Sequence, residues 1–333
     1  VLFYGIKGVS KMINTVQELR NQVDNTEVEV YVLVTSIIAK NASNGMYLDI
    51  ELQDSTGVVT GKVWQATDAD VARYSEFEAK VVRINGTKVT YRNQLQLKIS
   101  HIELATNAQL EKFIEKAPID AAEIQMEIER YMLDIRDPAM LRIIKQMMNK
   151  HGQLFYTYPA ASKNHHNFMS GLAYHTLSML RLAKVICELY PSLNQTYLYA
   201  GIIAHDFGKV LELSGVVATS YTTYGKLIGH INIAYGEVEL AAHELDLQTS
   251  QERESVMILQ HLILSHHGKY EFGSPKLPHI REAEVLNFID NLDARITTLD
   301  KALAEVAAGA FTPRIFSLEN RQFYKPKYEE NEE

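Results

Sequence analysis

The chain has 333 residues, of which 46% are hydrophobic and 22% charged, the balance of an ordinary globular protein with room for about two domains. A formal net charge of -8 excludes nucleic-acid binding by bulk electrostatics, so any such site must be a local patch or use metals, stacking and hydrogen bonds. One cysteine, Cys187, excludes an internal disulfide and thiolate metal clusters.

No apolar run approaches the ~20 residues a membrane helix needs. The apolar start from Val1 to Val9 is short and lacks the basic opening of a signal peptide. The expectation is a cytoplasmic protein without membrane contact.

After an N-terminal extension (1–24), residues 25–105 read as strands. In Glu27 to Val34, Val28, Val30, Val32 and Val34 face one way, and Glu29, Tyr31 and Leu33 the other. Tyr47 to Leu52 and Val58 to Trp64 follow, joined by the turn Asp54-Ser55-Thr56-Gly57. A short helix is expected over Ala66 to Tyr74, then strands over Glu78 to Ile84 and Leu95 to Ile102. Five strands with a helix between the third and fourth is the pattern of an OB-fold barrel. The loops flanking its binding face would be Lys40 to Gly45 and Gly86 to Gln94. The second carries Tyr91 and Arg92, an aromatic beside a cation, suited to stacking and phosphate contact with a single strand. The alternative is that they decorate a hairpin. Between Asp24 and Leu104 there are 8 Lys/Arg and 11 Asp/Glu, but Lys80, Arg83, Lys88, Arg92 and Lys98 gather toward the end as a local basic strip. Trp64, at a strand end, is read as core, with a platform for a base as the alternative.

Residues 106–160 read as a helical connector over Gln109 to Lys116, Ala121 to Leu133 and Pro138 to Lys150, punctuated by Pro118 and Pro138. Beyond it helical periodicity dominates. Met179, Leu182, Ile186 and Leu189 form a stripe that His175 shares, and Cys187 is expected to pack among its neighbours. Leu198, Ile202 and His205 form another, with the helix stopping at Gly208. Leu211 to Tyr224 is polar and β-branched, as in a hairpin, and Gly229-His230 opens a new helix. Val256, Leu259, Ile263 and His266 continue the pattern. On the last helix Leu286, Asp290 and Asp293 share a face beside a packing stripe of Ile289, Leu292, Ile296 and Leu299. Residues 311–333 are a tail with an acidic end.

Of 12 histidines, 11 lie between His151 and His279. Seven metal-type residues recur there, about one cluster per expected helix: His175, His205-Asp206, His230, His266-His267 and Asp290. A helical domain builds a metal cage from side chains remote in sequence in this way. Mixed His/Asp donors without thiolate suit Mn²⁺, Fe or Co, with Mg²⁺ and Zn²⁺ remaining open.

The series Gly171-Leu172-Ala173-Tyr174-His175, His205-Asp206-Phe207-Gly208-Lys209, Ser265-His266-His267-Gly268 and Asp290-Asn291-Leu292-Asp293-Ala294 resembles the HD-domain metal-dependent phosphohydrolases. With a barrel upstream, with Tyr91-Arg92-Asn93-Gln94-Leu95, Asn164-His165-His166 and Asn320 to Pro326, the chain is similar to the YhaM-type 3′-to-5′ exoribonucleases from about residue 25 to 326. The expected architecture is thus an all-β OB-fold barrel followed by an all-α HD bundle over 161–310.

The resemblance implies two divalent metals, favouring Mn²⁺. His175, His205, Asp206 and Asp290 would hold one. Asp206 would bridge to the other, completed by His230, His266 and His267. A carboxylate has two oxygens and can span two cations, whereas a neutral imidazole offers one lone pair. Relatives with a third metal carry a glutamate four residues before the first histidine, where this chain has Gly171. Asp293 would then orient a ligand or bind metal itself. Lys209 would contact phosphate or brace the turn. His166 would bind phosphate, protonate the leaving oxygen or serve structure. The implied substrate is single-stranded RNA, with single-stranded DNA open, cut to nucleoside 5′-monophosphates. Two other readings stand beside it: hydrolysis of free nucleotides or cyclic dinucleotides, and a non-enzymatic nucleic-acid-binding module. A homo-oligomer is left open, with Tyr324 and Tyr328 as exposed aromatics that would serve a subunit contact or the RNA path.

Overall fold

The structure, a computed structural model, describes residues 10–43, 45–91, 94–161 and 168–327. Arg92 and His166 lie outside the described residues. The chain divides into two compact units, one ending at Lys116 and the other beginning at Ala117.

The first unit holds β1 (Lys11–Ile13), α1 (Val16–Arg20), β2 (Glu27–Ala42), β3 (Gly45–Asp54), β4 (Gly57–Trp64), α2 (Asp68–Ser75), β5 (Val81–Tyr91) and β6 (Gln94–Leu104). The strand order is β1-β2-β3-β4-β6-β5, and β5 pairs back onto β2, so strands β2 to β6 close. The β4–β6 pairing is parallel, at Thr60↔Gln96 to Lys62↔Lys98. That closure, with α2 inserted between β4 and β5, is the OB-fold barrel. Closing the sheet gives each of those five strands a partner on both sides over part of its length. Its interior follows the alternation in sequence: Val28, Val30, Val32 and Val34 are fully buried, as are Leu48, Ile50 and Leu52 from β3.

Three local findings differ from the sequence expectations. Within the expected N-terminal extension, β1 pairs with β2 in parallel and α1 buries Val16 and Leu19 in the barrel core. The segments expected as binding loops are mostly strand, since β2–β3 and β5–β6 run on as long hairpins. Tyr91 ends β5 and is 55% exposed. Two cations of the expected basic strip are engaged: Arg83 pairs with Glu103 and Glu29, and Lys88, 8% exposed, lies beside Asp24 and donates to the carbonyls of Arg20 and Gln22.

The second unit is helical: α3 (Ala121–Leu133), α4 (Pro138–Thr157), α5 (Gly171–Leu189), α6 (Gln195–Ala204), α7 (Lys209–Glu212), α8 (Thr223–Ile228), α9 (His230–Glu244), α10 (Ser250–Ser265) and α11 (Arg281–Ala304). Its polar residues sit at helix starts, where free N–H groups need acceptors. Asp120, Asp137, Asn194 and Thr249 cap α3, α4, α6 and α10, and Thr249 forms a capping box with Glu252. Helix α6 is apolar all round and nearly all buried, as befits a central helix.

The expected connector is part of this core. Ile124 and Ile128 from α3, and Met140, Ile143 and Ile144 from α4, join the buried cluster of α5, α6, α9, α10 and α11. Gln109 to Lys116 holds only a 3-10 turn over Leu110–Lys112. Cys187 packs partly buried against the core. The segment between α7 and α8 is pinched by one bridge, Leu213↔Tyr221, rather than a hairpin of length. The expected tail from residue 311 folds back through bridges Phe311↔Tyr324 and Ile315↔Arg321.

Candidate metal centre

Five helical segments deliver the seven residues to one place. His175 lies on the buried face of α5, His205 caps α6, and Asp206 follows it. His230 opens α9, His266 caps α10 with His267 next to it, and Asp290 lies on α11. The turn after α6 is set by Gly208. A Cβ there would meet the His230 carbonyl oxygen at 2.0 Å. Gly208 has ordinary helical angles and opens α7, so its role is this close approach and not the left-handed helix end that its position in sequence suggested.

Asp206 is the centre of the arrangement. Its Oδ2 lies 3.3 Å from His205 Nε2 and 3.9 Å from His175 Nε2. Its Oδ1 lies 3.4 Å from His230 Nε2 and 3.8 Å from His266 Nε2. One carboxylate thus turns one oxygen to each of two imidazole groups. Asp290 Oδ1 is 3.2 Å from His175 Nε2, on the Oδ2 side. Donor atoms of His175, His205 and Asp206 gather within 4.8 Å of one another, and so do those of His230, His266 and His267.

Every imidazole is held by its other nitrogen. Nδ1–H of His205 donates to the Ile202 carbonyl, that of His266 to Ile263 and that of His267 to Phe272, each at 2.7 Å. His175 Nδ1 is 2.7 Å from Asp293 Oδ2, and His230 Nδ1 is 3.3 Å from Glu212. These bonds fix the tautomer and aim the Nε2 lone pairs inward, as metal-ligating histidines require. Among the described residues, His205 Nε2, His230 Nε2, His266 Nε2 and Asp206 Oδ1 are buried with no hydrogen-bond partner. Leaving four such atoms unpaired is costly unless a cation takes them. The residues therefore fit a divalent metal.

The electrostatics agree. Burial pushes His266 well below the usual histidine range and lowers His267, keeping both rings neutral and able to coordinate. Burial opposes charge on His175 as well, but Asp290 and Asp293 outweigh it and raise its pKa to about 10. The carboxylates that favour a proton there favour a metal cation for the same reason. Asp206 is also desolvated, yet Lys209, His205 and His230 hold it well below the carboxylate range.

Asp293 sits behind His175, not beside the donor atoms of the cluster, and orients the ring. Glu212, which sequence reasoning did not single out, does the same for His230 and also accepts from its backbone N–H at 3.0 Å. Its burial at 7% exposure, between Leu211 and Leu213, is visible only once the chain is folded. Asp293→Ala is expected to weaken divalent-metal affinity by about 10-fold or more, measured by metal titration with the helix content checked by circular dichroism. Unchanged affinity would remove Asp293 from that role.

The packing of α11 corrects the expected stripe. Ile289 is buried, but Leu292 and Ile296 are 47% and 49% exposed, and the buried face runs Leu286, Ile289, Asp293. Two stripes lie side by side at helical spacing, and the ion pairs to His175 let the one bearing a carboxylate face inward.

Lys209 Nζ is 2.6 Å from Asp206 Oδ2, and its ammonium is held charged by that carboxylate against burial. A cavity of about 240 Å³ opens beside the cluster, lined by Asp206, Lys209, His267, Phe272, Asp290 and Asn291.

The barrel carries a second arrangement. Trp64, expected in the core, is 48% exposed. It stacks on Tyr47, its cross-strand partner, with ring centroids 4.9 Å apart. The Lys62 ammonium lies 4.7 Å and 6.0 Å from the two centroids. Lys40 and Lys98 are register neighbours of Tyr47 and Lys62. Asp49 pairs with Lys40 and Lys62. Trp64 is at the last position of β4, where alternation alone does not say whether a side chain points in or out.

The family model for the HD domain matches residues 172–295. The 3′-5′ exoribonuclease YhaM of Geobacillus sp. (strain WCH70) is 47% identical over 304 residues, 90% of this chain and 92% of the relative. That of Bacillus subtilis (strain 168) is 47% identical over 306 residues, 91% of this chain and 96% of the relative. Among solved structures, the second OB-fold domain of replication protein A from Methanococcus maripaludis overlaps at TM-score 0.21 and 12% identity, over 29% of this chain and 99% of that one; the strand order, not this overlap, carries the barrel's assignment. No helix among the described residues is long and apolar enough to cross a membrane. With nearly half its residues shared over nine-tenths of its length, the chain belongs to the family of the 3′-5′ exoribonuclease YhaM.

Proposed function

We propose that this chain is a metal-dependent 3′-to-5′ exoribonuclease that hydrolyses the 3′-terminal phosphodiester of single-stranded RNA. Water adds to phosphorus, the bond to the preceding 3′ oxygen breaks, and that oxygen takes up a proton. The products are a nucleoside 5′-monophosphate and a strand one nucleotide shorter with a 3′ hydroxyl. The observation that carries this reading is Asp206, whose two oxygens face two separate groups of imidazole nitrogens.

In this reading His175, His205, Asp206 and Asp290 hold one divalent ion, and Asp206, His230, His266 and His267 hold a second. Such a pair supplies Lewis acidity, an activated water and neutralisation of charge developing on phosphate. Mn²⁺ suits the thiolate-free His/Asp donor set. Lys209 lines the cavity with its charge held by Asp206, and would meet a phosphate oxygen as a compact cation. His166, outside the described residues, would bind phosphate or protonate the leaving oxygen, as the resemblance implies. On the barrel, the exposed Trp64–Tyr47 stack with Lys40, Lys62 and Lys98 gives bases a flat surface and phosphates a row of cations, which is how single strands are held without sequence preference. Tyr91, at the end of β5, would extend that contact, and Arg92, outside the described residues, is the cation expected beside it.

The test is the full chain with a 5′-labelled single-stranded RNA and Mn²⁺. A ladder shortening one nucleotide at a time is expected, with nucleoside 5′-monophosphates as product, loss of activity in a chelator and recovery on adding Mn²⁺. Uncut RNA alongside turnover of free nucleotides would replace this reading with that of a nucleotide phosphohydrolase.

A further inference from the structure

The cavity beside the histidine cluster has one aromatic wall that metal chemistry does not use. The Phe272 ring lines it together with Lys209, His267 and Asn291, yet the residue is 57% exposed. An exposed phenylalanine on its own is ordinary. This one is held firmly. It ends a 3-10 turn over Tyr270–Phe272, in which its N–H donates to the Lys269 carbonyl at 3.1 Å. Gly273 closes the turn at φ +84°, a conformation that suits glycine. Ser274, 3% exposed, then anchors the chain through its hydroxyl to the carbonyls of Leu264 and Lys276, at 3.0 and 2.8 Å. The Phe272 carbonyl accepts the Nδ1–H of His267 at 2.7 Å. The Lys269 ammonium lies 5.5 Å from the ring centroid.

An aromatic ring is thus fixed at the cavity wall by the same backbone that aims a histidine of the cluster. The cavity, at about 240 Å³, is below the ~300–1,000 Å³ of clefts for drug-sized ligands. It has room for the end of a strand and not for a length of it. We infer that Phe272 is the platform on which the 3′-terminal base stacks while its phosphodiester lies at the histidine cluster. This rests on the exoribonuclease reading above. Stacking serves an enzyme that removes successive nucleotides, because every base has a π-face and none is excluded. A backbone already ordered in the free protein has less to lose on binding. Lys269, beside the same ring, puts a cation where the sugar–phosphate of a stacked nucleotide passes.

The experiment compares wild type, Phe272→Ala and Phe272→Trp on two RNAs, one ordinary and one with an abasic 3′-terminal nucleotide, with metal content measured for each protein. On ordinary RNA, Phe272→Ala is expected to lose about 10-fold in kcat/KM and Phe272→Trp to retain it. Wild type should lose a similar factor on the abasic RNA, and Phe272→Ala should lose nothing more there. Metal content should stay the same. If Phe272→Ala matches wild type on ordinary RNA, or shows the same loss on both RNAs, the base platform is overturned. A loss of metal in Phe272→Ala would also overturn it, making the residue a support for His267. If wild type leaves ordinary RNA uncut, the exoribonuclease reading fails first and takes this inference with it.

Discussion

Asp206→Asn is expected to lower kcat/KM on single-stranded RNA by roughly 10³-fold or more, while RNA affinity stays within a factor of about two. The amide keeps the shape of the carboxylate but loses its charge and one of its two acceptor oxygens. Two metals contribute several kcal/mol of charge stabilisation in the transition state, and each ~1.4 kcal/mol is tenfold in rate. The amide also removes the carboxylate that does most to hold Lys209 charged against burial. Asparagine is preferred to alanine because it adds no cavity among the fully buried His205 and His266. The measurements are steady-state turnover, RNA binding by anisotropy and metal stoichiometry by elemental analysis. Wild-type turnover with full metal content would sink the bridging role and leave the His/Asp cluster as a structural feature.

The second large effect belongs to the barrel. Trp64→Ala is expected to weaken single-stranded RNA binding by roughly 5- to 150-fold, the equivalent of ~1–3 kcal/mol for one stacked base. Trp64→Phe should keep most of the affinity because a flat ring remains over Tyr47. Neither change should alter turnover of a small chromogenic phosphodiester, which needs the metal centre but no strand. Both Kd values are to be taken at one fixed salt concentration, since the proposed phosphate contacts of Lys40, Lys62 and Lys98 would make affinity fall with ionic strength. If Trp64→Ala binds RNA as wild type does, the stack is a surface detail and the strand is held elsewhere. Its position at the end of β4 explains why it was misread: at a strand end, burial depends on whether a neighbouring strand or loop covers the residue.

Much of the fold was legible because each element repeats a physical period. Alternation in β2 places Val28 to Val34 inside the barrel, and the structure buries all four. The stripe Val256, Leu259, Ile263, His266 is fully buried on α10 as its spacing implies. Where two stripes competed, as on α11, period alone chose the wrong one. Leu292 and Ile296 are the more apolar pair, yet Asp293 goes inward because His175 waits there at 2.7 Å. Part of the basic strip is lost for a related reason. Arg83 and Lys88 are cations in sequence, but Glu29, Glu103 and Asp24 neutralise them across strands.

By itself the sequence determined the chemistry on offer: a barrel pattern, a helical pattern, and seven His/Asp donors at intervals that residue type and period make readable. Only the tertiary structure decided how those donors are aimed. The partners that orient them lie far off in sequence, with Asp293 118 residues from His175 and Glu212 18 residues from His230. It also decided that Gly208 admits the His230 backbone, that Trp64 faces outward and that Phe272 stands beside His267. Each of these depends on which surfaces meet, and burial, desolvation and hydrogen-bond aim are set by that meeting, not by the order of residues along the chain.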